Sequence, residues 1–311
     1  MQRYRSFGSF MRTEFGFTVY KVNVDAGFTC PNRDGTLGLS GCIYCNNDSF
    51  RPNSCQPTLS LAEQIGNGIN HIRKRYKANK FIVYFQPYTN TYAPLETLRG
   101  LYTEALNQPD IIGLAIGTRP DAVDEEKIRM LGEFAEKHFI LIEYGLQSIY
   151  DKSLSFINRG HDYANFLKAI HMTKDRGINI GAHIIAGFPT EMREEMLAMA
   201  EEISSLPIRF LKVHQLQVVR DTPLADMYKE TPFYTFGYEE YLEFIVDFIE
   251  RTSPDIVFQR LFATAPDSIL VAPDWRRSRH QILSDIEKKL EKRDTHQGRK
   301  YHLQPLMSTK N

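Results

Sequence analysis

The sequence predicts an α/β fold built on a parallel sheet, and three observations carry that prediction. Short β-branched or apolar runs recur along the 311 residues with helical segments between them, the pattern of repeated βα units. The runs are nearly continuous in apolar character, as strands covered on both faces require. With 42% apolar residues the chain can also bury one large barrel, or a core domain with a small appendage.

Strands are expected in order at 18–24 (TVYKVNV), 81–86 (FIVYFQ), 111–117 (IIGLAIG), 139–146 (FILIEYGL), 178–186 (INIGAHIIA), 210–217 (FLKVHQLQ) and 255–262 (DIVFQRLF). The helices between them carry punctuation. Ser60 with Glu63 has capping-box spacing, Pro94 suits a first helical turn, Asp162 suits the N-cap before Tyr163, and Gly177 is expected to end that helix. Past residue 220 the pattern loosens. Residues 238–251 read as an amphipathic helix rich in aromatics, and RRSRHQILSDIEKKLEKR as a charged helix before a polar tail.

Lys plus Arg and Asp plus Glu balance at 38 each, so no global field draws the chain to DNA, RNA or an anionic membrane. The first residues lack a secretory layout, and no stretch approaches the roughly 20 apolar residues that span a bilayer. The chain reads as cytoplasmic, a reducing setting in which four cysteines bind metal or lie inert more readily than they form disulfides.

Polar or glycine-rich groups follow the strands: a cysteine loop, Gln86, Thr118 with Arg119, Gln147, Gly187 with Pro189, then His214, Gln215 and Gln217. Strand carboxyl ends form the active face of α/β barrels and open sheets, so these groups are expected to converge there. The loop itself, GFTCPNRDGTLGLSGCIYCNN, holds Cys30, Cys42 and Cys45 directly after the first strand. Thiolates are soft ligands for iron-sulfur clusters or zinc, and the glycines let backbone close around an ion. Zinc stays open on spacing alone, with Cys55 as a fourth ligand, although structural zinc usually takes two close pairs and only one C-x2-C is present. A thioredoxin-like pair needs no third cysteine.

The loop resembles the cluster loop of radical S-adenosylmethionine (radical SAM) enzymes, with Tyr44 in the aromatic position before the last cysteine. Its long first gap departs from the common C-x3-C-x2-C spacing and is similar to the branch containing the Elongator catalytic subunit and YhcC-like proteins. DAGFTCPNRDGT, YFQPYTNTYAP, GTRPD, EYGLQS, INRGHD and HIIAGFPTE all resemble the YhcC-like group, over about residues 15–280. The resemblance implies a partial (β/α)6 TIM-like barrel over 18–235, after an N-terminal segment 1–17, with a C-terminal α/β extension over 236–311.

It further implies a [4Fe-4S] cluster on Cys30, Cys42 and Cys45, whose open iron takes S-adenosylmethionine for reductive cleavage to methionine and a 5′-deoxyadenosyl radical. Gln147 and Arg159 are similar to residues that contact its ribose and carboxylate, a role suited to a guanidinium fork. Thr118 and Arg119 would face the ribose and methionine parts. HIIAGFPTE resembles the adenine-cradling segment, with Ile185 on the base, Gly187 at close approach and Pro189 fixing the turn. His183 reads as a satisfied core histidine, and Glu191 as a group orienting the next helix. The second strand ends in YFQPYTN rather than a glycine-glycine-acid motif, which makes Gln86 the substitute contact to the amino group, with Tyr84 and Asn90 beside it.

The implied partners are a reductant such as flavodoxin or ferredoxin and, by analogy with the Elongator branch, transfer RNA at a wobble-uridine side chain; no membrane or DNA is expected. Tyr88, Tyr92, His214, Gln217 and Arg220 are the candidates for substrate contact. The basic stretches HIRKRYKANK and Arg276 to Lys300 offer phosphate contacts or, on the plainer reading, solvated helix faces. A radical enzyme acting on a small metabolite and a non-catalytic zinc protein are the alternatives.

Overall fold

A computed structural model describes residues 2–46 and 58–302; Cys55 lies outside the described residues. Helix α1 (Phe7–Phe15) precedes β1 (Val19–Val24), and βα units follow: α2 (Leu61–Tyr76), β2 (Lys80–Phe85), α3 (Leu95–Leu106), β3 (Ile111–Thr118), α4 (Glu125–Ala135), β4 (Phe139–Gln147), α5 (Asp151–Phe156), α6 (Tyr163–Thr173), β5 (Asn179–Ala186), α7 (Arg193–Ser205) and β6 (Phe210–Gln215). The chain continues through β7 (Val218–Val219), α8 (Pro223–Glu230), α9 (Tyr238–Arg251), β8 (Val257–Arg260), β9 (Leu270–Ala272) and α10 (Arg279–Lys292).

Seven strands form one sheet in the order β1-β2-β3-β4-β5-β6-β8, and every neighbouring pair is parallel. The sheet curls until its edges face each other: Lys21 on β1 donates to Gln259 on β8, and Phe258 N–H donates to the Arg5 carbonyl at 2.8 Å. The seventh strand comes from the 236–311 segment, so that segment completes the half-barrel as well as covering it. Residues 216–217 leave the sixth strand early. β7 instead pairs antiparallel with β9.

Capping chemistry sets the helix starts. Ser60 and Glu63 form the capping box at α2, Asp162 caps α6 with Asn165 answering, and Pro94 stands at the N-cap of α3. The α6 helix stops at Thr173 rather than at Gly177, because Lys174 already has extended backbone and Asp175 takes a positive φ of 63°. Gly177, with φ 71°, lies in the turn beyond.

Side chains divide by strand period. One set points outward into the helices, where Val83, Ile116, Ile142, Tyr144, Ile184 and Val213 join the main core. The other set fills the barrel in layers. Val19, Ile82, Ala115, Leu141, Phe210 and Val257 make an apolar plug closed from below by Phe10 and Met11 of α1. Above that plug the interior turns polar.

Candidate functional site

Cys42 is buried and Cys30 and Cys45 are half-buried, all three on the wall of a cavity of about 240 Å³ at the carboxyl ends of the strands. Backbone bonds hold the loop in place. Gly41 N–H donates to the Asn32 carbonyl at 2.7 Å, Ile43 N–H to Ile157 at 3.1 Å, and Leu224 N–H to Ile43 at 3.0 Å. Gly41 has φ 72°, and a Cβ there would sit 2.8 Å from Arg33 Nε, so a side chain is both strained and obstructed. Two donors approach one sulfur, Arg159 Nη1 reaching Cys42 Sγ at 3.5 Å and Asn32 Nδ2 reaching it at 3.7 Å, and Arg33 donates to the Cys45 carbonyl. Tyr44 lines the cavity and packs on the cluster around Leu154 and Ile185.

A second layer of contacts orients these groups. Arg119, buried, grips Asp121 through Nε at 2.9 Å and Nη2 at 2.7 Å, and its Nη1 donates to the Arg159 carbonyl at 2.8 Å. Its fork is therefore committed to protein partners, and it acts on the cavity by positioning Arg159. Arg159 Nη2 donates to the Gly145 carbonyl at 2.6 Å. Gln147 follows a register shift in β4 and holds φ 77°, and its buried Oε1, like the buried Arg159 Nε, has no hydrogen-bond partner among the described residues. A Cβ on Gly145 would lie 2.8 Å from both Arg159 Nη2 and Gln147 Nε2. Gly145→Ala is therefore expected to displace both side chains and weaken ligand binding more than it lowers stability; calorimetric S-adenosylmethionine titration beside a urea melt checks this, and unchanged affinity would refute it.

Deeper in the barrel lies an ionic layer that strand-by-strand reading missed. Glu143 receives Lys21 Nζ at 2.7 Å and also pairs with Lys212, while Lys212 Nζ donates to Tyr84 Oη at 2.6 Å. Burial alone would raise the Glu143 pKa, yet the two lysines hold it well below the usual carboxylate range. Burial brings Lys212 down to about 7 despite the attraction of Glu143, and Lys21 and Arg260 add to that lowering. His183 Nε2 meets His214 Nδ1 at 2.9 Å, with Arg260 Nη1 3.5 Å from His214 Nε2. Burial and the nearby cations keep both rings neutral at physiological pH. His183 is thus a partner within the cavity wall as well as a satisfied core residue. The signal available beforehand was period two: KVN, ILIEYGL and FLKVHQ place charges at alternate, inward strand positions.

The remaining candidates divide by position. Gln86, Tyr88, Thr118, Ile185, His214 and Gln217 line the cavity. Gln86 accepts from Asn23 at 2.6 Å, and Thr118 Oγ1 is 2.6 Å from Thr91 Oγ1. Asn90 instead bonds the Phe85 and Gly117 carbonyls, tying strand ends together. Gly187, Pro189, Tyr92 and Arg220 lie off the cavity wall: Gly187 faces Phe236, Pro189 and Arg220 are exposed, and Tyr92 bonds Thr36 at 2.8 Å. Glu191 sits behind the wall and accepts from Ser148 at 2.5 Å. The basic stretches are only partly paired with acids, through Arg73 and Lys80 on Asp110, Arg276 on Asp274, Lys289 and Arg293 on Glu243, and Lys300 on Glu250, while Lys74, Arg75 and Lys77 stand exposed.

Three thiol side chains on one wall are the soft donors that a [4Fe-4S] cluster takes, one to each of three irons. Burial and the neighbouring Cys42 push the Cys45 thiol up to about 11, so a bound cation would favour its thiolate. Next to them, the orphaned Gln147 Oε1 and Arg159 Nε supply an unused acceptor and donor.

Comparisons with known proteins bear on the family and the fold. Residues 29–203 match the radical SAM superfamily model, and residues 208–292 match the radical SAM C-terminal domain. The chain is 33% identical to protein YhcC of Escherichia coli over 91% of each chain. It is 31% identical to the tRNA uridine(34) acetyltransferase of Methanocaldococcus infernus over 51% of this chain and 30% of that one. The solved structure of the Methanocaldococcus infernus Elp3 superposes with a TM-score of 0.68 at 20% identity, over 90% of this chain and 64% of that chain.

Proposed function

The chain belongs to the radical SAM superfamily, and from that premise we propose that it is an enzyme that binds a [4Fe-4S] cluster on Cys30, Cys42 and Cys45 and S-adenosylmethionine in the adjoining cavity. When bound, that pair supplies one-electron cleavage of a carbon–sulfur bond. The single observation carrying this reading is the convergence of three separated cysteines with Arg159, Gln147 and Ile185 on one wall.

The protein's own residues orient and exclude water. Arg159 stands between Cys42 and the Gly145 carbonyl, where its free Nε can serve a carboxylate. Gln147, held by its backbone kink, presents an acceptor to a hydroxyl. Tyr44 and Ile185 offer apolar surface, Gln86 and Thr118 polar contacts at the neighbouring strand ends, and Arg119 fixes Arg159. Gly187 and Pro189 shape the turn behind that wall. The electron comes from a partner protein such as flavodoxin or ferredoxin.

For substrate we place first a transfer RNA wobble-uridine side chain, supported by the name of the acetyltransferase relative. A small metabolite is the second reading, favoured by the balance of 38 Lys plus Arg against 38 Asp plus Glu, which gives no overall field toward a phosphate backbone. Anaerobic reconstitution should yield about four irons per chain and 5′-deoxyadenosine with dithionite. Colourless protein holding one zinc and forming no 5′-deoxyadenosine would sink the proposal. Arg159→Ala is expected to keep its iron but bind S-adenosylmethionine about 10- to 150-fold more weakly, the loss of a charged hydrogen bond worth about 1.5–3 kcal/mol. Normal affinity in that variant would refute the contact. Nucleoside mass spectrometry of transfer RNA with and without the gene decides between the substrates.

A further inference from the structure

We propose that the floor of the cavity is a binding site for an anionic substrate group, a carboxylate or a phosphate, held by Lys212 and Arg260 against the His183–His214 pair. This deepens the reading above, because it takes the same cavity as the reaction chamber. The argument is charge balance. Lys21, Lys212 and Arg260 bring three cations to the barrel interior, and Glu143 is the carboxylate that pairs with the two lysines. Arg260 forms no ion pair among the described residues, its one polar side-chain contact there being His214 at 3.5 Å. Tyr84 stays a neutral phenol, since burial and Glu143 raise it well above its ordinary value.

Unpaired cations in a barrel interior are costly, and Arg260 has no carboxylate in ion-pair contact among the described residues, while burial and mutual repulsion lower the pKa of Lys212. An anion from the substrate would restore the balance and favour the charged form of Lys212. The thiolates do not serve this purpose. They lie at the strand ends beside Arg33 and Arg159, whereas Glu143 precedes Gln147 by four residues on β4, about 13 Å along the strand. The site is open to a ligand, because Lys212, His214 and Arg260 all line the cavity.

The test titrates anaerobically reconstituted, chloride-free protein with inorganic phosphate and separately with malonate, at constant ionic strength, by calorimetry. At least one probe should bind with millimolar affinity or better, and Arg260→Gln and Lys212→Met should each weaken it tenfold or more with iron content and S-adenosylmethionine affinity unchanged. The tighter probe identifies the acid as phosphate or carboxylate. Absence of binding by both probes, equal affinity in the variants, or competitive displacement by S-adenosylmethionine would each overturn the proposal, the last by making the site the one for the methionine carboxylate. If Lys212→Met does not fold, Arg260→Gln decides alone. Failure of the cluster reading would appear as missing iron and would leave the titrations readable.

Discussion

Replacing Cys30, Cys42 or Cys45 by alanine is expected to take bound iron from about four per chain to near zero, and 5′-deoxyadenosine formation with it. Each thiolate would hold its own iron, so no neighbour can stand in for a lost one. The described residues support this: Asn32, Arg33 and Arg159, which approach the sulfurs or their loop, are donors and not ligands. The fold should survive, because the loop is anchored by backbone bonds to Asn32, Ile157 and Leu224 rather than by the sulfurs. Iron analysis with circular dichroism checks both halves. Retention of iron in any one of the three variants would remove that cysteine from the ligand set. Equal loss in Cys55→Ala would argue for four thiolates.

Glu143→Leu is expected to cost about 3–5 kcal/mol, the penalty for leaving buried cations without their partner. Lys212 is 7% exposed and the Lys21 side chain 16%, so water can take over little of the solvation of either ammonium. Adding Lys212→Met should return part of the loss, since it removes one of the two ammonium groups left without Glu143 while Lys21 remains. Urea unfolding of the single and double variants measures the coupling; a single-variant loss under about 1 kcal/mol would show that the interior is better hydrated than its burial indicates.

The pH dependence follows from the same groups. The lowered Glu143 pKa gives stability that is present above the unfolded value near 4.3 and is lost as pH falls through the folded value. Lys212 acts in the opposite range. Between about 7 and about 10.4 the unfolded lysine keeps a proton that the folded one has released, so stability rises with pH across that window. Melts over both windows should show these slopes, and Lys212→Met should flatten the alkaline one.

Strand positions were legible because a covered parallel strand must be apolar on both faces, and that signature survives in a linear reading of 81–86, 111–117 and 139–146. The cysteine loop was legible for a related reason: ligands close in sequence need no tertiary fold to bring them together. Gly187 was less so, since its tight approach turned out to be to Phe236 on the outer side. A glycine advertises close contact without saying with what.

By itself, then, the sequence determined the βα order, the helix caps and the three thiols in one loop, all of which depend on residues near one another in the chain. Only the tertiary structure decided that Glu143 would be shared by Lys21, 122 positions away, and Lys212, 69 positions away. A charge within an apolar strand does not name its partner. That is settled when the sheet curls and opposite strands bring their inward side chains within hydrogen-bond reach in a medium that screens them little.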